Sequence, residues 1–425
     1  MWKKIVALGV VLLTVLMAGC TNTGTEETGP TGTVEEEVIK VGTLVDFSGP
    51  LSTHGIDTKN NLELAKEDIE KYFKEHNMPY RIEILPEDTR LDPNLALQKI
   101  QLLKGKGVNI FVGPLSSSEV KTILPYTLSN KIIVISPSST ALPPLIGATS
   151  PEQKKYLYRF VASDDLQGMA IASLVADMGI EDVVILYRDD AWGKGLSQET
   201  RKNLPKYGVN VVDYIAYPSN PSPADWSPYI TKVEEDIRKV INSKGKDKVG
   251  VIYIGFEEGA TLFSQIPEDS ILLDVKWIGS DGIVKSDKLL ELKDKTAKVG
   301  MYSTIFESEG PEEYVQRYKK RFGGTPTSYG LISYDALWVL TMAYVDTLKA
   351  NNGKYDADIM TKKIKEVIEK YNNGEYGVKP LSGKIVLNEF NDRASGDYAI
   401  YMVTEDGWKK VGIWRYDTKK VEWIK

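Results

Sequence analysis

From residue 38 onward, short apolar strands alternate with amphipathic helices, and this order limits the possible folds more than any other feature of the chain. Residues 38–45 are β-rich and run into a Gly/Pro turn at Ser48-Gly49-Pro50. Residues 60–73 then place Leu62, Ala65, Ile69, Tyr72 and Phe73 on one helical stripe. Strand patterns at 80–85, 108–113 and 132–135 are separated by helical patterns at 94–103 and 120–128. Strand–helix–strand order predicts a parallel sheet with right-handed crossovers. The rhythm restarts with helices at 166–178, 195–204, 226–241 and 259–266, and strands at 183–187, 209–217, 249–254 and 275–278. Two such series predict two similar α/β lobes. Three more helices follow at 312–322, 333–348 and 358–371. The stretch from 383 to the end alternates and is rich in Trp and Tyr, as antiparallel edge strands are.

The N-terminus reads as an export signal. Lys3 and Lys4 precede an apolar run at 5–15 that is short for a bilayer span. The run ends in Leu16-Met17-Ala18-Gly19-Cys20, a string that resembles a lipobox, in which Cys20 is acylated after cleavage. A plain signal peptide or a membrane anchor are the alternatives. Residues 21–37 hold six Thr, three Gly and five Glu and are expected to form a flexible tether. No later stretch is apolar enough to span a membrane. Cys20 is the one cysteine, which excludes disulfides within the chain and C-x-x-C chemistry. The two histidines, His54 and His76, leave little scope for multi-histidine metal sites. A formal charge of −6 argues against nucleic-acid binding.

In parallel α/β sheets, ligands bind at the carboxyl ends of strands. The loop Gly113-Pro114-Leu115-Ser116-Ser117-Ser118-Glu119 leads directly into a helix and offers hydroxyls and free N–H groups to an anion. Ser116-x-x-Glu119 also matches a capping box, so Ser116 caps while Ser117 is left for a ligand. Ser136-Pro137-Ser138-Ser139-Thr140 places further hydroxyls nearby in the series. In the second half, the loops at 188–193, 255–259 and 279–282 each bring a carboxylate or an aromatic ring to a strand end. The chain has no G-x-G-x-x-G, G-x-x-x-x-G-K-[ST], G-x-S-x-G or H-E-x-x-H motif. These patterns point to a small-molecule binder rather than an enzyme. For an exported hydrolase working through paired carboxylates, Asp189, Asp190, Glu257 and Glu258 are the residues to consider, although adjacent acidic pairs in loops are usually solvated.

These loops, in this order, resemble the type I periplasmic solute-binding proteins, and among them the branched-chain amino-acid receptors of ABC importers. The resemblance rests on Val41-Gly42-x-Leu44 to Gly49-Pro50-Leu51, Gly113-Pro114-x-Ser-Ser, Ser136-Pro137-x-Ser139-Thr140, 187–195 with Trp192 in the aromatic place, Asp225-Trp226-Ser227 and Tyr334-Asp335-Ala336. It implies two doubly wound lobes joined by three crossovers, near 158–162, 304–307 and 379–383. Lobe 1 is then 38–159 plus 306–379, and lobe 2 is 160–305 plus 380–425. It implies that Ser117 and Thr140 bind an α-carboxylate, that a carbonyl of Ser138 or Ser139 takes part of the α-ammonium, and that Asp281 pairs with that ammonium. Trp192 and Phe256 would wall the side-chain pocket, and His54, with Phe47, lies in a loop that touches the ligand. Phe256 stands where the amino-acid receptors usually carry Tyr, and 141–156 and 217–224 look like insertions. The implied protein is a monomer without cofactor or metal, held outside the cytoplasmic membrane through Cys20, with an ABC permease as its partner. A sensory protein acting with a membrane kinase, or a receptor for an amide, urea or an aromatic acid, are the other readings the resemblance leaves open.

Overall fold

The computed structural model describes residues 36–424. The export signal, Cys20 and residues 21–35 of the expected tether lie outside the described residues. Five strands come first: β1 (Glu37–Val45), β2 (Tyr80–Asp88), β3 (Ile110–Val112), β4 (Ile133–Ser136) and β5 (Leu157–Ala162). Five more follow: β6 (Asp182–Asp189), β7 (Asn210–Pro218), β8 (Val249–Ile254), β9 (Lys276–Gly279) and β10 (Tyr302–Phe306). The last four are β11 (Asp392–Arg393), β12 (Tyr398–Thr404), β13 (Gly407–Arg415) and β14 (Lys420–Trp423).

The strands form two sheets in an α/β arrangement. The first has the order β11-β5-β4-β3-β1-β2, and the second β14-β13-β12-β10-β9-β8-β6-β7. All pairs of the first sheet are parallel. Its central strands, β3 and β4, are buried at every residue because helices cover both faces. In the second sheet β6 to β10 are parallel, and β12, β13 and β14 add antiparallel strands at one side. This matches the alternating, aromatic C-terminal pattern. Glu37, expected in the tether, is already paired in β1 with Tyr80.

The helix Ser328–Ala350 is buried along nearly its whole length and packs against Ser52–Glu75, forming the centre of the first lobe. Ser52–Glu75 begins eight residues before its apolar stripe. Its first turns hold buried polar residues, His54, Asp57 and Thr58, which face other parts of the fold rather than an apolar core. Gly55 is required there, since a Cβ would lie 1.7 Å from the Asp46 carbonyl oxygen.

The chain passes from the first sheet to the second after β5 and returns after β10, close to the expected crossovers. The third passage differs from expectation. The resemblance places residues 380–425 in the second lobe, but β11 pairs with β5 in the first sheet. Residues 379–383 are not a crossing. Leu381 and Ser382 donate their N–H groups to Asp335 of the first lobe at 2.8 and 2.9 Å. The passage therefore falls between β11 and β12.

What holds β11 is a buried ionic triad. Asp392 accepts from Lys154 Nζ at 2.6 Å and from Arg159 Nε and Nη2 at 2.6 and 2.5 Å, with all three side chains 1% exposed or less. Burial raises the cost of the Asp392 charge, but the two cations outweigh it and hold the carboxyl below its usual range. The segment 141–156, which reads as an insertion, thus supplies a cation to the C-terminal passage. Burial and the Arg159 charge pull the Lys154 ammonium down to about 7, so Asp392→Ala leaves Arg159 as the buried cation without a carboxylate and is expected to lower unfolding free energy by about 3–5 kcal/mol. Lys154→Met leaves the Arg159 pair intact and is expected to cost less. Equilibrium denaturation of both variants checks this; equal losses, or a loss at Asp392 under about 1 kcal/mol, contradict it.

Candidate functional site

Loops after β3, β4, β6, β8 and β9 meet between the two sheets, at the carboxyl ends of the strands. They enclose a cavity lined by His54, Ser117, Ser138, Trp192, Phe256 and Asp281, together with Leu51, Leu115, Ser116, Gly282 and Tyr329. Its free volume for a water-sized sphere is only about 10 Å³, so the facing walls are almost in contact. Six of the eight expected contact residues thus share one cavity. Ser139 and Thr140 lie one layer behind it, and Phe47 is not among the lining residues.

The first-lobe wall is built on a helix N-terminus. Gly113 turns the chain out of β3 with φ of +99°, where a Cβ would sit 2.1 Å from the Leu44 carbonyl oxygen. Ser116 caps the helix Ser117–Ser129: its Oγ accepts from the Glu119 N–H at 3.2 Å, and Glu119 accepts from the Ser116 N–H at 3.0 Å. Burial pushes the Glu119 carboxyl up to about 7, against the hydrogen bonds it accepts. Ser117 does not project freely. Its Oγ lies 3.0 Å from Ser139 Oγ and accepts from the N–H groups of Thr140 and Ala141 at 3.2 and 3.1 Å. The two serine-rich loops are therefore one unit, and the Thr140 N–H is already engaged by Ser117.

The second-lobe wall carries the rings and the charge. Trp192 and Phe256 stack with centroids 4.5 Å apart and planes at 19°. Asp281 follows β9; its carboxylate accepts from Gln167 Nε2 at 2.9 Å and from the Tyr329 hydroxyl, and its backbone carbonyl accepts from His54 Nε2 at 3.1 Å. Burial raises the Asp281 carboxyl above its usual range, in spite of the donors around it.

Three residues of this surround escaped the sequence reading. Tyr329 sits in the first turn of Ser328–Ala350, ahead of the helical pattern that begins at 333. Gln167 and Asp164 lie on the helix Asp164–Asp177, immediately after the first passage between sheets. Asp164 is fully buried, neither of its carboxylate oxygens has a well-formed partner, and burial and then the Asp281 charge push it well above the usual range. Its position directly after a strand end was the available signal.

The acidic pairs considered for hydrolysis have other tasks. Asp189 is surface-paired with Lys194. Asp190 caps the helix Ala191–Asn203 through the Gly193 N–H at 2.8 Å. Glu258 is paired with Arg188 at 2.5 Å. Glu257 bridges the lobes: it accepts from Ser52 Oγ at 3.0 Å and from the Thr53 hydroxyl on one side, and from Ser286 Oγ and Lys288 Nζ, each at 2.8 Å, on the other. None of them forms a carboxylate pair in the cavity, and no His/Cys/Asp/Glu cluster suited to a metal occurs among the described residues.

Burial disfavours the Glu257 charge, but the bonds from Lys288, Thr53 and Ser286 outweigh it and set its carboxyl below the usual range. A carboxyl with a lowered native pKa stabilises the fold above its ordinary pKa and loses that effect as pH falls through the lowered one; the share that comes from Ser52 and Thr53, on the other lobe, acts on closure. Glu257→Ala is expected to weaken closure by about 2 kcal/mol and to enlarge the radius of gyration in small-angle scattering. Acidification of the wild type is expected to enlarge it in the same direction. Unchanged scattering for the variant at neutral pH contradicts the bridge.

Comparison with known proteins agrees with this architecture. An uncharacterized protein of Methanocaldococcus jannaschii is 48% identical over 412 residues, 96% of this chain and 97% of its own. The Leu/Ile/Val-binding protein BraC3 of Rhizobium johnstonii is 22% identical over 372 residues, covering 85% of this chain and 91% of its own. The solved leucine binding protein LivK of Thermotoga maritima has the same fold, with a TM-score of 0.69 at 18% identity over 89% of this chain and 99% of that one. The family model described as periplasmic binding protein matches residues 38–408. The chain belongs to the periplasmic binding protein family.

Proposed function

We propose that this protein is an extracytoplasmic receptor that closes on an amino acid with an aliphatic side chain and delivers it to an ABC transporter permease. The observation that carries this reading is the chemical opposition across one cavity. A helix N-terminus with Ser117 forms one end, and the buried carboxylate of Asp281, with Asp164 behind it, forms the other. A zwitterion removed from water needs both ends met by charge-assisted hydrogen bonds. The helix end and hydroxyls suit its carboxylate, and Asp281 suits its ammonium. Between them, Leu51, Leu115, Trp192 and Phe256 are apolar and suit a hydrocarbon side chain. The names of the Rhizobium and Thermotoga relatives support the same class of ligand.

Binding needs no covalent chemistry. With walls almost touching, a ligand enters by hinge rotation about the three passages between the lobes, and it then bridges the two lobes. Acylation at Cys20 would hold the monomeric receptor near its permease. Among the described residues, no helix is long and apolar enough to cross a membrane.

Titration of the protein from residue 38, refolded to strip ligand, tests this reading with the twenty amino acids, their amides, urea and aromatic acids. Saturable fluorescence change with leucine, isoleucine or valine is expected, with its source assigned by Trp192→Phe. Asp281→Asn is expected to raise Kd about 10–100-fold. Because the bound ammonium needs the ionised carboxylate, affinity is expected to fall as pH drops through the raised pKa of Asp281. Binding of a ligand that lacks an ammonium, with Asp281→Asn unaffected, contradicts the assignment.

A further inference from the structure

The aromatic wall of the cavity has a third layer that faces away from it. Arg188, near the end of β6, is 3% exposed, and its guanidinium carbon lies 4.1 Å from the Phe256 ring centroid. Trp192 stacks on the same ring at 4.5 Å. Phe256 is thus held by two planar groups, the guanidinium and the indole. Its edge is closed as well: a Cβ on Gly282 would lie 2.3 Å from Phe256 Cδ1. The guanidinium is itself fixed. It donates to Asp190 at 2.7 Å, to Glu258 at 2.5 Å and to the Ser219 carbonyl at 3.4 Å. The same Glu258 oxygen also accepts from the Phe256 N–H at 3.2 Å and from the Tyr217 hydroxyl at 2.8 Å. Asp190 in turn caps the helix that carries Trp192, through the Gly193 N–H. One cation therefore ties together the backbone beneath both rings.

We propose that Arg188 is a positioning residue that sets the ligand selectivity of the cleft, by clamping Phe256 against Trp192 so that the pocket wall cannot part around a larger side chain. This rests on the reading that the cleft binds a small solute. A flat, weakly hydrated guanidinium stacks on a ring and bonds two carboxylates at once; an ammonium holds the charge without the plane. Without the stack, the two rings retain their hydrophobic contact but lose the fixed spacing, and discrimination by size relaxes.

The test uses protein labelled with 5-fluorotryptophan and 19F NMR, with the Trp192 resonance assigned by Trp192→Phe and its stacking shift by Phe256→Leu. Arg188→Lys keeps the charge. Arg188→Met combined with Glu258→Gln removes the cation and neutralises the more buried of its two carboxylate partners, while Asp190 keeps the Gly193 N–H, which limits the risk of misfolding. Both are expected to move or broaden the Trp192 resonance without any ligand present. Both are also expected to reduce the leucine-to-phenylalanine affinity ratio about tenfold. A Trp192 resonance that stays at its wild-type position in both variants overturns the clamp. So does Arg188→Lys behaving as wild type, which would leave only an ion pair, or an affinity loss equal for both amino acids. If the resonance moves while the wild type binds neither amino acid, the stack stands and the amino-acid reading falls.

Discussion

A carboxylate removed from water is costly unless donors replace its hydration, and Asp281 obtains its donors from separate parts of the chain. Gln167 comes from the first helix after the passage out of the first sheet, and Tyr329 comes from the central helix of the first lobe. His54 reaches the carbonyl of the same residue from the first turn of another helix. The Tyr329 and His54 contacts join the lobes, so satisfying this one acid draws the cleft shut. They leave the acid raised above its usual range by burial, and its charge adds to the burial that raises Asp164. Under the proposed function, the ammonium of an amino acid would give this acid its counter-charge.

The loop 255–258 shows how few residues the second lobe uses to work the cleft. Phe256 forms the wall, Glu257 reaches across to Ser52 and Thr53, and Glu258 anchors the cation behind the wall. Three consecutive side chains thus line the cavity, bridge the lobes and support the wall. On the first lobe, the joined serine loops play the complementary part. Ser117 is held by Ser139 and by two backbone N–H groups, so the hydroxyl is oriented before any ligand arrives, which lowers the ordering cost of binding.

Much of this was legible in the sequence because it is written locally. Strand and helix alternation follows from periodicity, the Ser116–Glu119 capping box from spacing, and convergence of His54, Ser117, Ser138, Trp192, Phe256 and Asp281 from their places at strand ends or in the resembled loops. The misses share a physical cause: each depends on a partner far along the chain. β5 carries Arg159 in its middle, which spoils its apolar pattern until Asp392, 233 residues away, is seen to neutralise it. The same pair moves the third passage beyond β11. The first turns of Ser52–Glu75 lack an apolar stripe because they face polar partners: His54 meets Asp281 across the cleft, and Asp57 accepts from the Thr327 N–H at 2.8 Å. Asp164 and Gln167 read as ordinary helix-start residues until Asp281 is placed beside them.

The most direct measurement of the central claim is a crystal structure of residues 38–425 grown with leucine. It is expected to show the amino acid between the lobes, its carboxylate at the N-terminus of Ser117–Ser129 and its ammonium within hydrogen-bond distance of Asp281. Leucine bound in the reverse orientation, or bound outside the cleft while Asp281 keeps only its protein partners, would contradict the account.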